Sequence, residues 1–198
     1  RNIAIGYAAY DAADTESDNL AIGNNALGGS IAGGEYNVAI GNNSLETNTS
    51  GDYNIGLGYS ALKNNTSGSY NTVNGYESLQ ANTTGQRSTA SGFRSIYSNT
   101  TGSNNSAIGN VALYSNTTGS QNTGAGSGAL YSNTTGNNNA AFGFEALYAT
   151  NASGDSGDNT GFGAHALRYN STGTHNTSLG SSAGDVLTTG SNNVIIGS

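Results

Sequence analysis

The sequence repeats with a period of 17 residues, and this period limits the chain to folds built from stacked, equivalent turns. Each unit reads roughly N-x-A-I-G-x-x-A-L-x-x-N-T-T-G-x-x. The units open at Asn2, Asn19, Asn37, Asn54, Asn71, Ser88, Asn105, Asn122, Asn139, Asn159, Asn176 and Asn193. One extra residue falls between Asn19 and Asn37, and three fall between Asn139 and Asn159. A short fixed period is typical of a solenoid, in which each repeat is one coil that buries its apolar face only against its neighbours.

Composition narrows the class of protein. The 198 residues include 31 Gly, no Pro, Cys, Met or Trp, and only 9% charged residues, which is not the composition of an ordinary globular enzyme domain. The net charge of −7 argues against binding to nucleic acid or to anionic membranes. No apolar run approaches membrane-spanning length, so we expect no insertion of this segment into a bilayer. The unbroken repeat predicts one continuous array over residues 1–198, which we interpret as a fragment of a longer fibrous protein.

The length of the unit predicts β structure. Segments such as Asn37–Ile40 and Ala112–Ser115 are too short for stable helices and are expected to be strands. In the Asn-Thr-Thr-Gly segments we expect Asn and Gly to supply left-handed or turn conformations. The sequence therefore predicts an all-β fold, a parallel β-solenoid or β-roll of about twelve 17-residue coils.

Two apolar columns are the expected core of this solenoid. The first, three residues after the opening residue, contains Ile5, Ile22, Ile40, Leu57, Ile108, Phe142, Phe162, Leu179 and Ile196. The second, the core leucine column, contains Leu27, Leu45, Leu62, Leu79, Ile96, Leu113, Leu130, Leu147 and Leu167. Small residues beside them would let two sheets or two subunits approach closely. Because two large apolar residues per coil make a thin core, we expect chains to associate along the rod.

The opening segments carry a family resemblance. Asn2–Gly6, Asn37–Ser44 and Asn105–Gly109 resemble the N-S-V-A-I-G motif of the head domains of trimeric autotransporter adhesins, and similar repeats occur in secreted bacterial surface proteins and phage tail fibres. The resemblance implies a left-handed β-roll, a homotrimer, and an extracellular head that adheres to host or matrix surfaces. This chain differs in its longer period and its added Asn-Thr-Thr-Gly segment. Asn74 and Ser91 interrupt the first apolar column, and we expect them to form a polar layer where chains meet.

Residues with catalytic or metal-binding chemistry do not recur in the repeat. His165 and His175 occupy different repeat positions without a nucleophile or carboxylate at a catalytic spacing, so we predict no enzyme, no cofactor and surface positions for both. Two acidic clusters could bind Ca²⁺, namely Asp11, Asp14, Glu16 and Asp18, and the pair Asp155 and Asp158. Neither matches a known calcium loop, and solvated acidic loops are the interpretation that we favour.

A tyrosine follows the core leucine in four consecutive coils. This tyrosine ladder consists of Tyr97, Tyr114, Tyr131 and Tyr148, and strand alternation predicts that it points away from the core. Exposed tyrosines could stack on sugars or fill a partner's groove. Alternatively, the rings stabilise neighbouring coils or seal an inter-chain seam, which is the interpretation that we favour.

Asparagines of the repeat also begin N-x-S/T triplets. Among them are Asn48, Asn65, Asn82, Asn99, Asn116, Asn133, Asn151 and Asn170. Turn chemistry explains these triplets without glycosylation.

Together these features predict a non-enzymatic, extracellular fibre or adhesin segment that attaches to cells, glycans or matrix. Its expected partners are further copies of itself in a homotrimer, and a host-surface glycan or protein. An ice-binding solenoid is an alternative, because the pairs Thr83-Thr84, Thr100-Thr101, Thr117-Thr118 and Thr134-Thr135 would stack into rows. A purely architectural filament or tail-fibre component without its own ligand is a further alternative.

Overall fold

The computed structural model describes residues 1–11, 17–29, 34–150 and 157–198, and it contains twelve strands of three residues each. The strands are β1 (Ile3–Ile5), β2 (Leu20–Ile22), β3 (Val38–Ile40), β4 (Ile55–Leu57), β5 (Thr72–Asn74), β6 (Thr89–Ser91), β7 (Ser106–Ile108), β8 (Thr123–Ala125), β9 (Ala140–Phe142), β10 (Thr160–Phe162), β11 (Thr177–Leu179) and β12 (Val194–Ile196). They form one parallel sheet in chain order. The described residues contain no helix. The predicted parallel β-solenoid is confirmed.

Strand pairing follows the sequence repeat residue by residue. Val38 of β3 pairs with Ile55 of β4, 17 residues later. Across the two breaks in the period, Leu20 pairs with Val38 and Ala140 pairs with Thr160, so equivalent positions stay paired. The extra residues therefore fall between strands and leave the sheet register unchanged.

The interior of each coil lies between the sheet and a second wall. The middle residue of a strand points inward and is small in most coils, as at Ala39 and Ala107. The core leucine column reaches the interior from the other wall and is fully buried. A Cβ built on Gly124 of β8 would lie 3.4 Å from Leu113 Cδ1, so the leucines leave little room opposite them. The small residues bring these two walls together within one chain.

The first apolar column is not in the core, and that prediction is wrong. Its residues are the last of each strand, and Ile108 is 58% exposed while Phe162 is 55% exposed. Side chains alternate along a strand, so a three-residue strand directs one side chain inward and two outward. Because the leucines fill the interior, the small middle residue takes the inward position and the large neighbours face out.

The second wall is built from turns, so the predicted strand Ala112–Ser115 is also wrong. Leu113 has a φ of 54°, and the other residues of the core leucine column have similar positive values. These left-handed values are incompatible with a β-strand. Hydrogen bonds still join successive coils, as from the N–H of Leu113 to the carbonyl oxygen of Ala129 at 2.9 Å.

Glycine after each strand turns the chain from the sheet into this second wall. Gly109, for example, has a φ of 133°, a conformation that L side chains rarely adopt. A Cβ there would also lie 2.6 Å from the carbonyl oxygen of Gly126 in the next coil. Glycine occupies this position in all twelve coils, always with a positive φ, and the lack of space applies to all of them except the last, Gly197.

A ladder of buried side-chain amides runs through the opening asparagines. The N–H of Asn54 donates to Asn37 Oδ1 at 2.9 Å, and Asn54 Nδ2 donates to the carbonyl oxygen of Gly68 at 2.8 Å. Asn54 is fully buried, as are most of its equivalents. The opening asparagine side chain of each coil therefore forms a hydrogen bond with the backbone of the next coil.

A second ladder is formed by the asparagines of the Asn-Thr-Thr-Gly segments. Asn65 Nδ2 donates to Asn48 Oδ1 at 2.8 Å and to the carbonyl oxygen of Gly68 at 2.9 Å. That glycine carbonyl thus accepts hydrogen bonds from both ladders. Buried amides are stable in a protein interior only when they are paired in this way.

The expected left-handed conformation of these asparagines and glycines is absent. Neither Asn48 nor Gly51 has a positive φ. Glycine is required there for space, because a Cβ on Gly51 would lie 2.6 Å from Asn48 Oδ1 and 2.8 Å from Asn65 Nδ2. The same burial removes Asn48 and its six described equivalents from glycosylation in the folded chain. Asn151 lies outside the described residues.

Removing one rung of the second ladder is expected to destabilise the fold. Asn116 donates to Asn99 Oδ1 at 2.8 Å and to the Gly119 carbonyl oxygen at 2.9 Å, and accepts from Asn133 Nδ2 at 2.9 Å. Asn116→Ala leaves these buried groups short of partners and should lower the free energy of unfolding by about 3 kcal/mol, measured by denaturant titration. The exposed Asn110→Ala should change it by less than about 0.5 kcal/mol. Equal effects of both substitutions would contradict the role of the ladder.

Adding a missing rung to the second ladder is expected to stabilise the fold. Thr150 takes the place of asparagine in this ladder, and among the described residues Asn133 Oδ1 and Thr150 Oγ1 are buried without a hydrogen-bond partner. Thr150→Asn supplies a donor to Asn133 and should raise the free energy of unfolding by about 1–2 kcal/mol. A loss of stability in the same titration would show that the interior cannot accept the amide.

Candidate functional site

The described part of the chain encloses no pocket and contains no group of three His, Asp or Glu side chains that could hold a metal ion. Of the two acidic clusters, Asp14, Glu16 and Asp155 lie outside the described residues. Asp158 lies 3.5 Å from His175 Nε2. The surfaces available for recognition are therefore rows of side chains along the solenoid.

The outer sheet face is formed by the first and third residues of every strand. It is apolar in β1 to β4 and again at the third residue of β7 and of β9 to β12, with exposed Ile40, Ile108, Phe162 and Leu179 among its members. The rings of Phe142 and Phe162 lie 5.5 Å apart. We call these outward apolar residues the apolar stripe, and exposed apolar rows of this length are unusual on the surface of a monomeric protein.

A polar patch interrupts the apolar stripe in the middle of the sheet. Thr72 and Asn74 of β5, and Thr89 and Ser91 of β6, occupy its outward positions. The two residues expected to form a polar layer, Asn74 and Ser91, therefore lie side by side on the outer sheet face. Their place in a contact between chains stays a prediction.

The tyrosine ladder lies on the second wall, away from the sheet, and its four rings stack. Successive ring centroids are 5.2, 5.2 and 4.9 Å apart, with interplanar angles of 5°, 4° and 7°. Their side chains are half-buried at the surface, as predicted, although the tyrosines lie in turns and not in the strand from which that direction was predicted. The Arg94 guanidinium lies 5.4 Å from the Tyr97 ring at one end, and that of Arg168 lies 6.0 Å from the Tyr148 ring at the other.

This stacking limits what the ladder can bind. A sugar ring stacks on the face of an aromatic ring, but the faces in the ladder are covered by neighbouring rungs or by arginine. Ring edges and hydroxyl groups remain at the surface. The geometry favours the interpretation that the ladder stabilises neighbouring coils, as aromatic pairs on adjacent strands do.

Two further aromatic stacks were not predicted from the sequence. Tyr36, Tyr53 and Tyr70 stack at 4.9 and 5.2 Å, and Arg87 lies 5.6 Å from the last ring. A second set, Tyr59, Tyr76 and Phe93, stacks at 5.1 and 5.5 Å. Their spacing of 17 residues was visible in the sequence and would have identified both stacks.

Charged side chains also meet their equivalents one coil away. Arg94 Nε lies 2.7 Å from Glu77 Oε2, and Lys63 Nζ lies 3.3 Å from Glu46 Oε2. His165 Nε2 lies 3.6 Å from Glu145 Oε2, so both histidines sit beside a carboxylate at the surface. The carboxylates of Glu46, Glu77 and Glu145 are partly buried in these pairs.

Comparison with models of protein families, with curated proteins and with solved structures finds no match to this chain. The described residues include no apolar helix of membrane-spanning length. Function must therefore be inferred from the surfaces themselves.

The stacked tyrosines provide a test by alkaline titration. Burial raises the pKa of Tyr53 above its ordinary value of about 10, and the neighbouring Tyr36 and Tyr70 raise it further. Replacing both neighbours by phenylalanine keeps the stack and removes the repulsion between tyrosinates. The pKa of Tyr53 should fall in the double variant yet stay above that of free tyrosine, as measured by the ring-carbon NMR shift.

The sign of the effect on stability follows from this shift. The fold favours the neutral form of Tyr53. The contribution of Tyr53 to the free energy of unfolding is therefore fully present below about pH 10 and is lost as the pH rises through the raised pKa. An unchanged pKa of Tyr53 in the double variant would show that the hydroxyl groups of Tyr36 and Tyr70 do not raise it.

Proposed function

We propose that this chain is a structural and adhesive segment of an extracellular fibre, which self-associates through its outer sheet face and displays repeated surfaces for attachment to cells, glycans or matrix. The observation that carries the proposal is the apolar stripe along a solenoid whose described part has no pocket. Such a rod suits multivalent display better than chemistry on a small molecule.

The outer sheet face fits a second copy of itself. The exposed fractions of Ile108, Phe162 and Leu179 are 58%, 55% and 48%, and burying them against an equivalent stripe would remove apolar surface from water. The polar patch favours one alignment, because parallel chains in register place Asn74 against Asn74. Out-of-register packing would place these amides against apolar side chains, at a cost in free energy.

The number of chains and their location come from the resemblance to trimeric autotransporter heads. It favours a left-handed winding, three chains around one axis, and a position outside the cell. With the outer sheet faces directed to that axis, the second walls and their tyrosine ladders would face outward. Each surface would then occur three times, and weak contacts would add through effective concentration.

The ice-binding alternative draws on the threonine rows. The Oγ1 atoms of Thr83, Thr100 and Thr117 donate to backbone carbonyl oxygens of the next coil at 2.9, 3.1 and 3.0 Å. The hydroxyl group of the first threonine of each pair is thus engaged within the protein, which leaves only the second row, with exposed Thr84, Thr101 and Thr118, for contact with ice. Thermal hysteresis in a freezing assay would favour this alternative over the fibre.

Native mass measurement tests the self-association. The wild-type chain should form an oligomer, and Ile108→Thr with Phe162→Thr should weaken it, because both substitutions remove apolar surface from the outer sheet face while keeping strand-compatible residues. Val186→Thr is the control, since Val186 is 82% exposed but lies outside the sheet. A monomeric wild-type chain at all concentrations would contradict the proposal.

Binding assays test the attachment role separately. Wild-type oligomer and a Tyr114→Ser, Tyr131→Ser variant would be compared on cells, on glycan arrays and on matrix proteins, with oligomer mass measured in parallel. Lost assembly with unchanged binding would end a ligand role for the ladder. Assembly without any binding would leave the purely architectural function.

A further inference from the structure

We propose that the tyrosine ladder is an oxidative cross-linking site, at which a one-electron oxidant joins adjacent rungs by dityrosine bonds and so links consecutive coils covalently. This inference concerns a modification and does not depend on the adhesive role.

Geometry brings the reacting rings together. Tyr97, Tyr114, Tyr131 and Tyr148 form three adjacent pairs with centroids 4.9 to 5.2 Å apart and nearly parallel planes. The rings stand on the surface of the second wall and are half-buried, so a small oxidant can reach their edges. Two radicals formed on neighbouring rungs would therefore lie face to face at this distance, and coupling would need a local movement of the rings instead of a diffusional search.

Composition directs oxidation to tyrosine. The chain has 12 tyrosines but no Cys, Met or Trp, the side chains that commonly compete for oxidants. It also lacks the residue that makes disulfides, the usual covalent link of extracellular proteins. Of the two oxidative cross-links, disulfide and dityrosine, this composition leaves dityrosine.

The phenol hydroxyls of the ladder have a route for their protons. None of the four donates a hydrogen bond to a described residue, and the wall that carries them faces solvent. Loss of an electron from a ring can thus be accompanied by transfer of the hydroxyl proton to water. The arginines at the two ends, Arg94 and Arg168, cover the terminal ring faces but leave the edges of the rungs open.

The reaction balances with two equivalents of oxidant. Each equivalent takes one electron from a phenol, whose hydroxyl proton passes to water, and leaves a phenoxyl radical. Two radicals couple through the ring carbons next to the hydroxyl groups and form one carbon–carbon bond. The hydrogens on those carbons then transfer to the oxygens and restore both phenols. In total two electrons and two protons leave the protein, and the oxidant is reduced by two electrons.

Each bond would close a covalent loop between residues 17 positions apart, such as Tyr97 and Tyr114. Loops of this size restrict the unfolded chain more than the native one, as a disulfide does. The cross-linked solenoid should therefore unfold at a higher temperature than the untreated chain.

The experiment oxidises the intact chain with light, tris-bipyridyl ruthenium(II) and persulfate, followed by peptide mapping and intact mass measurement under denaturing conditions. We expect dityrosine fluorescence, a monomer lighter by pairs of hydrogen atoms, linked peptides that contain adjacent rungs, and a raised unfolding midpoint. Absence of linked adjacent rungs, or links between different chains only, would overturn the proposal.

A matched variant separates the ladder from the other tyrosines. Tyr114→Phe with Tyr148→Phe keeps four stacked rings but leaves Tyr97 and Tyr131 without a tyrosine on the next rung. Links within the ladder should fall to background, while links between Tyr36, Tyr53 and Tyr70 serve as the internal reference. Wild-type chain oxidised in denaturant should lose the preference for adjacent rungs, and an unchanged preference would show that the stack does not direct the reaction.

Discussion

Side-chain amides of two buried asparagine ladders hold each coil at a fixed place on the next, and the remaining structure follows from this constraint. Asn54 binds the backbone of Asn71 and the carbonyl of Gly68, and Asn65 binds the same carbonyl from the other ladder. A buried amide that missed its partner would cost about 1–3 kcal/mol, which is comparable with the gain from burying one coil's single leucine. Repeats can therefore vary at the surface and gain residues between strands, but their asparagines must stay in register.

Exact superposition of coils turns single residues into rows. Where neighbouring coils carry aromatic residues at one position, the rings stack, and where they carry opposite charges, as Glu77 and Arg94 do, the charges pair. Where they carry large aliphatic residues on the outward positions of strands, the result is an apolar stripe. The surfaces that support self-association, and those that we infer to be open to oxidation, both arise from this repetition rather than from a local constellation of catalytic groups.

The period, the parallel strands, both register breaks and the buried leucine column could be predicted from the sequence, because each depends only on spacing and polarity. The outward position of the first apolar column, which contains Ile108, could not be predicted. Alternation along a strand does not tell which of two neighbouring residues faces inward, and here the small residue fits the interior better. The strand expected at Ala112–Ser115 failed because the left-handed φ of Leu113 has no signature in the sequence. That the Asn-Thr-Thr-Gly asparagines have no left-handed backbone could not be predicted either, because sequence alone does not reveal that the amides of both ladders meet at one glycine carbonyl. Of the aromatic rows on the surface, the tyrosine ladder was predicted from the sequence, but the shorter stacks that contain Tyr53 and Tyr76 were not.

The most direct measurement is hydrogen exchange of the asparagine side-chain amides, followed by NMR on isotopically labelled protein. Amide hydrogens of Asn65, Asn82, Asn99 and Asn116 should exchange as slowly as the backbone amides of the sheet, because both require separation of coils. The exposed Asn110 should exchange rapidly in the same spectrum. If the ladder asparagines exchanged as fast as Asn110, the amides would not hold the coils together and the account would be wrong.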